Sequence, residues 1–112
     1  MKVEELFQNK DTVVKEIYEK ILEMAEGFGP VVIEPKKTSI HLKNKSAFGG
    51  VHPKKKCLEF NVVLSKRIYD DRIKKIERVS ANRFHHYFRF ESASQIDESF
   101  IQLMKESYSL LG

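Results

Sequence analysis

The chain has 112 residues, 41% hydrophobic and 11% aromatic, with a formal net charge of +4. This predicts one folded domain over residues 1–112, large enough to bury a core without staples and too apolar to stay disordered. The lone cysteine, Cys57, excludes an internal disulfide and a cysteine-rich zinc site; no apolar run nears the ~18 residues that span a bilayer, and MKVEELFQNK has no apolar leader core, so a cytoplasmic protein with no membrane partner is expected.

Residues 3–9 predict a short helical turn, and the first long segment then reads as helix. Asp11 is placed as its N-cap. Val14, Ile17, Tyr18, Ile21, Ala25 and Phe28 follow a helical stripe, and Gly27 sits where a left-handed C-cap falls. Gly29-Pro30 ends the helix, and the apolar period changes from helical to two. VVIEP, residues 31–35, suits a short strand. In TSIHLK, Ile40 and Leu42 face one way while Ser39, His41 and Lys43 face the other. Residues 46–52 and 57–64 read as a hairpin whose tip is a type I turn, His52-Pro53-Lys54-Lys55. Its second strand puts Leu58, Phe60, Val62 and Leu64 on one face.

Residues 65–79, SKRIYDDRIKKIERV, predict a short helix from Asp70 or Asp71 with Ile73 and Ile76 facing inward. NRFHHYFRF, residues 82–90, returns to alternation, with Phe84, His86, Phe88 and Phe90 opposite Arg83, His85, Tyr87 and Arg89. The last segment is the clearest helix: Ser94 and Asp97 have capping-box spacing, and Ile96, Phe100, Leu103, Met104, Tyr108 and Leu111 form one stripe. The expected fold class is α+β, two-layer, with a mainly antiparallel sheet of about four or five strands packed against N- and C-terminal helices. The other sheet face is left partly open.

Charge is distributed unevenly. Residues 1–34 carry a net −4, residues 35–56 hold seven lysines and no acid, residues 57–90 carry +4 and residues 91–112 carry −3. Acidic ends and a basic middle predict a dipolar surface, a property that bears on partners.

Several chemistries are excluded. Gly49-Gly50 leads toward a strand with no Lys-Ser/Thr behind it, and no GxGxxG occurs, so neither a nucleotide-hydrolysing loop nor a dinucleotide fingerprint is present. His85 and His86 are adjacent, so on a strand they point to opposite faces and serve one metal ion poorly. His86 reads as a histidine at the edge of the core, or else as a ligand; His85 reads as a solvent-face residue. Asp70-Asp71 suits a helix cap better than a catalytic dyad. No catalytic residue, metal site or cofactor is predicted.

What remains is basic charge interleaved with aromatics. Lys36, Lys37, Lys43, Lys54, Lys55 and Lys56 come from neighbouring strands and turns, and Arg83, His85, His86, Tyr87 and Arg89 from one strand. Such a surface neutralises phosphates while an aromatic stacks a base. The plain alternative is that these lysines are solubility devices at hairpin tips and sheet edges.

Glu34-Pro35-Lys36-Lys37-Thr38 followed by Ile40 and Leu42, the set Phe48, Val51, Pro53, Lys55 and Leu58, the run Arg83-Phe84-His85-His86, and the closing helix with Ser107-Tyr108 together resemble the small family catalogued as domain of unknown function 5655. Lys54 stands where the pattern has Arg, and Ser107 where it has Ala. The resemblance covers nearly the whole chain. It implies a free-standing domain or an appendage of larger proteins, some labelled predicted transport proteins and some with nuclease-like partners. The transport label has no support in a chain without a bilayer span. The final helix also resembles the end of small bacterial proteins with a double-wing DNA-binding fold.

The sequence therefore reads as a non-catalytic binding module for an anionic partner, nucleic acid first, with distant cations folded into one platform on a basic sheet and turn surface. One alternative is a protein-interaction or homo-oligomerisation module. Another is a small anion sensor or enzyme using Lys37, Arg83 and His86, which requires those side chains around one pocket.

Overall fold

Alternating apolar residues after Pro30 build six strands, where four or five were expected. The computed structural model describes residues 2–111; Met1 and Gly112 of the expected 1–112 domain lie outside the described residues. A 3-10 turn, Val3–Phe7, leads into α1, Thr12–Glu26. The strands follow: β1 Val32–Pro35, β2 Ile40–Lys43, β3 Ala47–Pro53, β4 Leu58–Leu64, β5 Ile73–Ser80 and β6 Arg83–Phe90. A second 3-10 turn, Ala93–Gln95, precedes α2, Glu98–Leu111. The strand order is β1-β2-β3-β4-β6-β5, antiparallel throughout. Among the described residues no helix is long and apolar enough to cross a membrane.

Both helices pack on one sheet face, as the two-layer α+β expectation has it. The predicted stripe of α1 is buried from Val14 to Ala25, and Phe100 of α2 meets Phe60, Phe88 and Phe90, with Met104 in the same buried cluster. Ser107 is fully buried between the layers. Its hydroxyl donates to the Phe48 carbonyl at 2.6 Å and accepts the Val63 N–H at 2.9 Å, tying α2 to β3 and β4. At Phe48, β3 carries one residue more than β2, since Leu42 pairs with Gly49 and Lys43 with Ala47. This bulge turns Phe48 onto the helix side, where its ring meets Tyr108 at 4.9 Å.

The helix expected within residues 65–79 is absent; the segment is a loop and an edge strand. Ile73 and Ile76 do share the inner side, three residues apart as on a helix. The cause is a bulge: Ile73 pairs with Phe88 and Lys75 with Tyr87, so Lys74 is an extra residue that imitates helical spacing. Asp70 caps no helix; its carboxylate accepts the Arg72 N–H at 2.9 Å and grips the Arg72 guanidinium. Arg72 also reaches Asp97 at 2.9 Å, clasping the start of β5 to the head of α2.

Three smaller corrections concern chain ends and turns. Gly27 is right-handed at φ −71°; the positive φ falls on Gly29, where a Cβ would come within 2.5 Å of Tyr108 Oη. The capping box is Ser92 with Gln95, on the 3-10 turn, while Asp97 caps α2 by accepting the Phe100 N–H at 3.0 Å. The β3–β4 hairpin closes with Lys54 N–H donating to the Cys57 carbonyl at 2.9 Å. Pro53 is therefore the last, buried residue of β3, and Lys55-Lys56 form the tip.

Candidate nucleic-acid interface

The sheet face away from the helices is built by the polar halves of the alternating strands. Its central row runs Glu34, His41, Gly50, Asn61, Tyr87, Lys75 across all six strands. One flanking row carries His52, Glu59 and Arg89, and the other carries Lys43, Val63, His85 and Glu77. Lys43, Lys75 and Arg89 are matched in number by Glu34, Glu59 and Glu77, so the strands themselves give a balanced face. Lys36 and Lys43 pair with Glu34 at 2.7 and 3.3 Å, and these hydrogen bonds hold its carboxyl below the usual range.

The positive excess comes from the turns and from the bulge in β5. A shallow depression of about 310 Å³ opens at one end of this face, lined by His52, Lys54, Glu59, Lys74, Lys75 and Tyr87. Three of its six lining residues are lysines and one is a glutamate. The bulge supplies Lys74 beside Lys75. Lys75 Nζ lies 5.2 Å from the centre of the Tyr87 ring, a cation–π contact. The His52 and His85 rings flank Tyr87 at 6.3 and 6.4 Å. Burial lowers the pKa of His52, helped by Lys54 and opposed by Glu59; burial likewise lowers that of His85.

The predicted cations divide. Lys36 and Lys37 in the β1–β2 turn and Lys54, Lys55 and Lys56 in the β3–β4 turn lie at the same end of the sheet as the depression. Of these, Lys55 donates to the Asn9 carbonyl at 3.1 Å. Arg89 is exposed beside Glu59. Arg83 lies at the opposite end, past the Leu64–Phe84 pair, and donates to the Asn82 carbonyl at 2.8 Å. A seven-residue strand separates it from the lysine tip, about 20 Å. His86 is on the helix side, fully buried. Its Nε2 accepts the Ile68 N–H and its Nδ1–H donates to the Phe84 carbonyl, so the ring is held neutral, and burial lowers its pKa. Lys37, Arg83 and His86 are thus not gathered around one pocket, and the single cationic platform expected from the sequence is a lysine-rich rim at one end.

His52, Glu59, Lys74 and Lys75 line the depression and were not among the candidates read from the sequence. For Lys74 and Lys75 the signal lay in IKKIERVS, had it been read as a bulged strand. For His52 it was displaced by placing the residue in a turn. Among the described residues, no cluster of three His, Cys, Asp or Glu side chains is placed to hold a metal ion.

The family described as Domain of unknown function (DUF5655) matches residues 3–110. The chain belongs to the DUF5655 family. The match takes in every strand and all but the last residue of α2, so the depression and its rim lie wholly within the DUF5655 region. No curated protein and no solved structure matches the chain.

Proposed function

We propose that this DUF5655 domain is a non-catalytic module that binds single-stranded nucleic acid on its uncovered sheet face. The observation that carries the reading is Tyr87 set in a depression rimmed by Lys54, Lys74 and Lys75, next to Arg89. An aromatic ring takes the face of an unpaired base, and ammonium groups one nucleotide's reach away take phosphates. A duplex hides its base faces, so single strands are favoured. The buried, unpaired Cys57 suits a reducing compartment, and the cytoplasm is the proposed location.

A titration of labelled single-stranded and duplex oligonucleotides by fluorescence anisotropy tests this. With four cations engaged, the log–log salt slope on single strands is about −3. Failure of both strand forms to bind at low salt defeats the proposal. A second reading, assembly through the acidic outer faces of the helices against the lysine rim of another copy, rests on Glu16, Glu19, Glu23 and Glu106 being exposed. Light scattering across dilution and salt detects it.

A further inference from the structure

The end of the sheet away from the lysine rim carries guanidinium groups. Arg78 on β5 lies opposite Phe84 of β6, and its Cζ is 5.7 Å from the centre of the Phe84 ring. Arg67, from the loop after β4, comes to the same ring at 5.6 Å. Both cations lie within 5.7 Å of one point, so they are at most twice that apart. Phe84 points to the helix side, as His86 does, and Arg83 before it points to the open face. The two faces meet at the β5–β6 turn, where Arg78 Nε donates to the Ser80 carbonyl at 3.1 Å and Arg83 Nη1 to the Asn82 carbonyl at 2.8 Å.

These three charges have no counterion of their own. Among the described residues none of the three pairs with a carboxylate, whereas Lys36, Lys43, Arg72 and Lys75 each do. Glu77, next to Arg78, faces the other way and takes Lys75 at 3.6 Å. Asp70 is held by Arg72, and Asp71 shares a hollow with Arg67 without pairing with it. Like charges gathered at one end gain from an anion placed among them. Stacking on Phe84 and donation to the turn carbonyls hold the side chains in place, so less freedom is lost when a ligand arrives. The planar fork of a guanidinium matches two oxygens of one phosphate, which the ammonium groups of the lysine rim do not.

Resting on the nucleic-acid reading above, we propose that Arg67, Arg78 and Arg83 form a second phosphate site, engaged by the same single strand whose base stacks on Tyr87. Arg89, Tyr87, His85 and Arg83 follow one another along the open side of β6, a cation at each end and two rings between. Tyr87 and Arg83 are four residues apart, about 13 Å on an extended strand. A dinucleotide has one phosphate, so when seated at Tyr87 it leaves the arginines empty. A strand of eight nucleotides runs along β6 to the hairpin end and engages both sites. The arginines therefore set the direction of the path, along β6 rather than across the sheet, and the length of strand that binds well.

Salt titrations of an eight-nucleotide strand, read by fluorescence anisotropy on the full chain, test this. Arg67→Ala/Arg78→Ala is expected to bind about tenfold less tightly at low salt, with a log–log slope shallower by about 0.7, the worth of one phosphate. The control Lys15→Ala/Lys105→Ala removes the same charge from exposed positions on α1 and α2 and is expected to bind as wild type does. Arg67→Lys/Arg78→Lys keeps the charge and is expected to keep the slope, which separates a lost phosphate from a lost fold. Three results overturn the inference and leave the nucleic-acid reading standing: an unchanged arginine-to-alanine pair, an equal loss in the control, or a slope lost in the arginine-to-lysine pair as well. Failure of wild-type protein to bind the strand at low salt overturns the underlying reading together with the inference.

Discussion

Gly49 and Gly50 are neighbours on β3 with opposite demands, and substituting alanine at each separates them. A Cβ on Gly49 would lie 2.4 Å from Phe60 Cζ and 3.2 Å from both Cε atoms. The Phe60 ring must retreat by about 1 Å to restore ordinary contact. It is fully buried and meets the Phe100 ring edge-on at 5.7 Å, so the retreat pushes α2. Overpacking of this kind costs about 1–3 kcal/mol. Removing a glycine from a strand returns about 0.5–1 kcal/mol. With the upper end of the first range, Gly49→Ala loses about 2 kcal/mol, and roughly 8 °C of Tm at this chain length. A Cβ on Gly50 meets nothing closer than 3.5 Å, so Gly50→Ala leaves stability within about 0.5 kcal/mol of wild type. Urea and thermal unfolding read both. Adding Phe60→Leu to Gly49→Ala should recover about 1 kcal/mol relative to additivity, because the leucine vacates the contested space. Equal stability of the two alanine variants, or strict additivity in the double variant, refutes the reasoning.

Other consequences follow from the same contacts. Tyr87→Ala should weaken single-strand binding by about 1–3 kcal/mol, read by anisotropy, while leaving the salt slope unchanged. Arg72 holds the Asp97 carboxyl down to about 2, so its contribution is complete above the ordinary carboxylate range and is lost as pH falls from about 4 through about 2. After discounting for solvent screening this is about 1 kcal/mol, and Asp97→Asn should flatten that limb of an acid-unfolding curve. Burial lowers the pKa of His86, so the unfolded chain takes up protons first and stability falls as pH drops below the ordinary histidine range of about 6.5. His86→Gln, followed by urea midpoints between about pH 7 and 5, should reduce that slope.

Much of the architecture was legible because burial follows simple periods. The α1 stripe and the alternation in Leu58–Leu64 and Arg83–Phe90 placed both layers and assigned His86 and Tyr87 to opposite faces. The missed strand has one cause, an extra residue within it. Lys74 gave Ile73 and Ile76 a helical spacing, concealed β5 and with it two lysines of the rim. Phe48 broke alternation in β3 in the same way. Charge was harder to read than fold. Counting lysines along the chain could not show that Lys36 and Lys43 share the Glu34 carboxylate, or that Arg83 ends up a strand's length from Lys54–Lys56. The meeting of Arg67 and Arg78 on one ring is a tertiary fact with no local sequence signal.

The most direct measurement is a nitrogen-15 NMR titration of the folded chain with a short single strand at low salt. The account predicts chemical-shift changes confined to the open face and its rim, at His52, Lys54, Asn61, Lys75, Tyr87 and Arg89, with the outer surfaces of α1 and α2 silent. Changes centred on the helices, or none at saturating strand, contradict it.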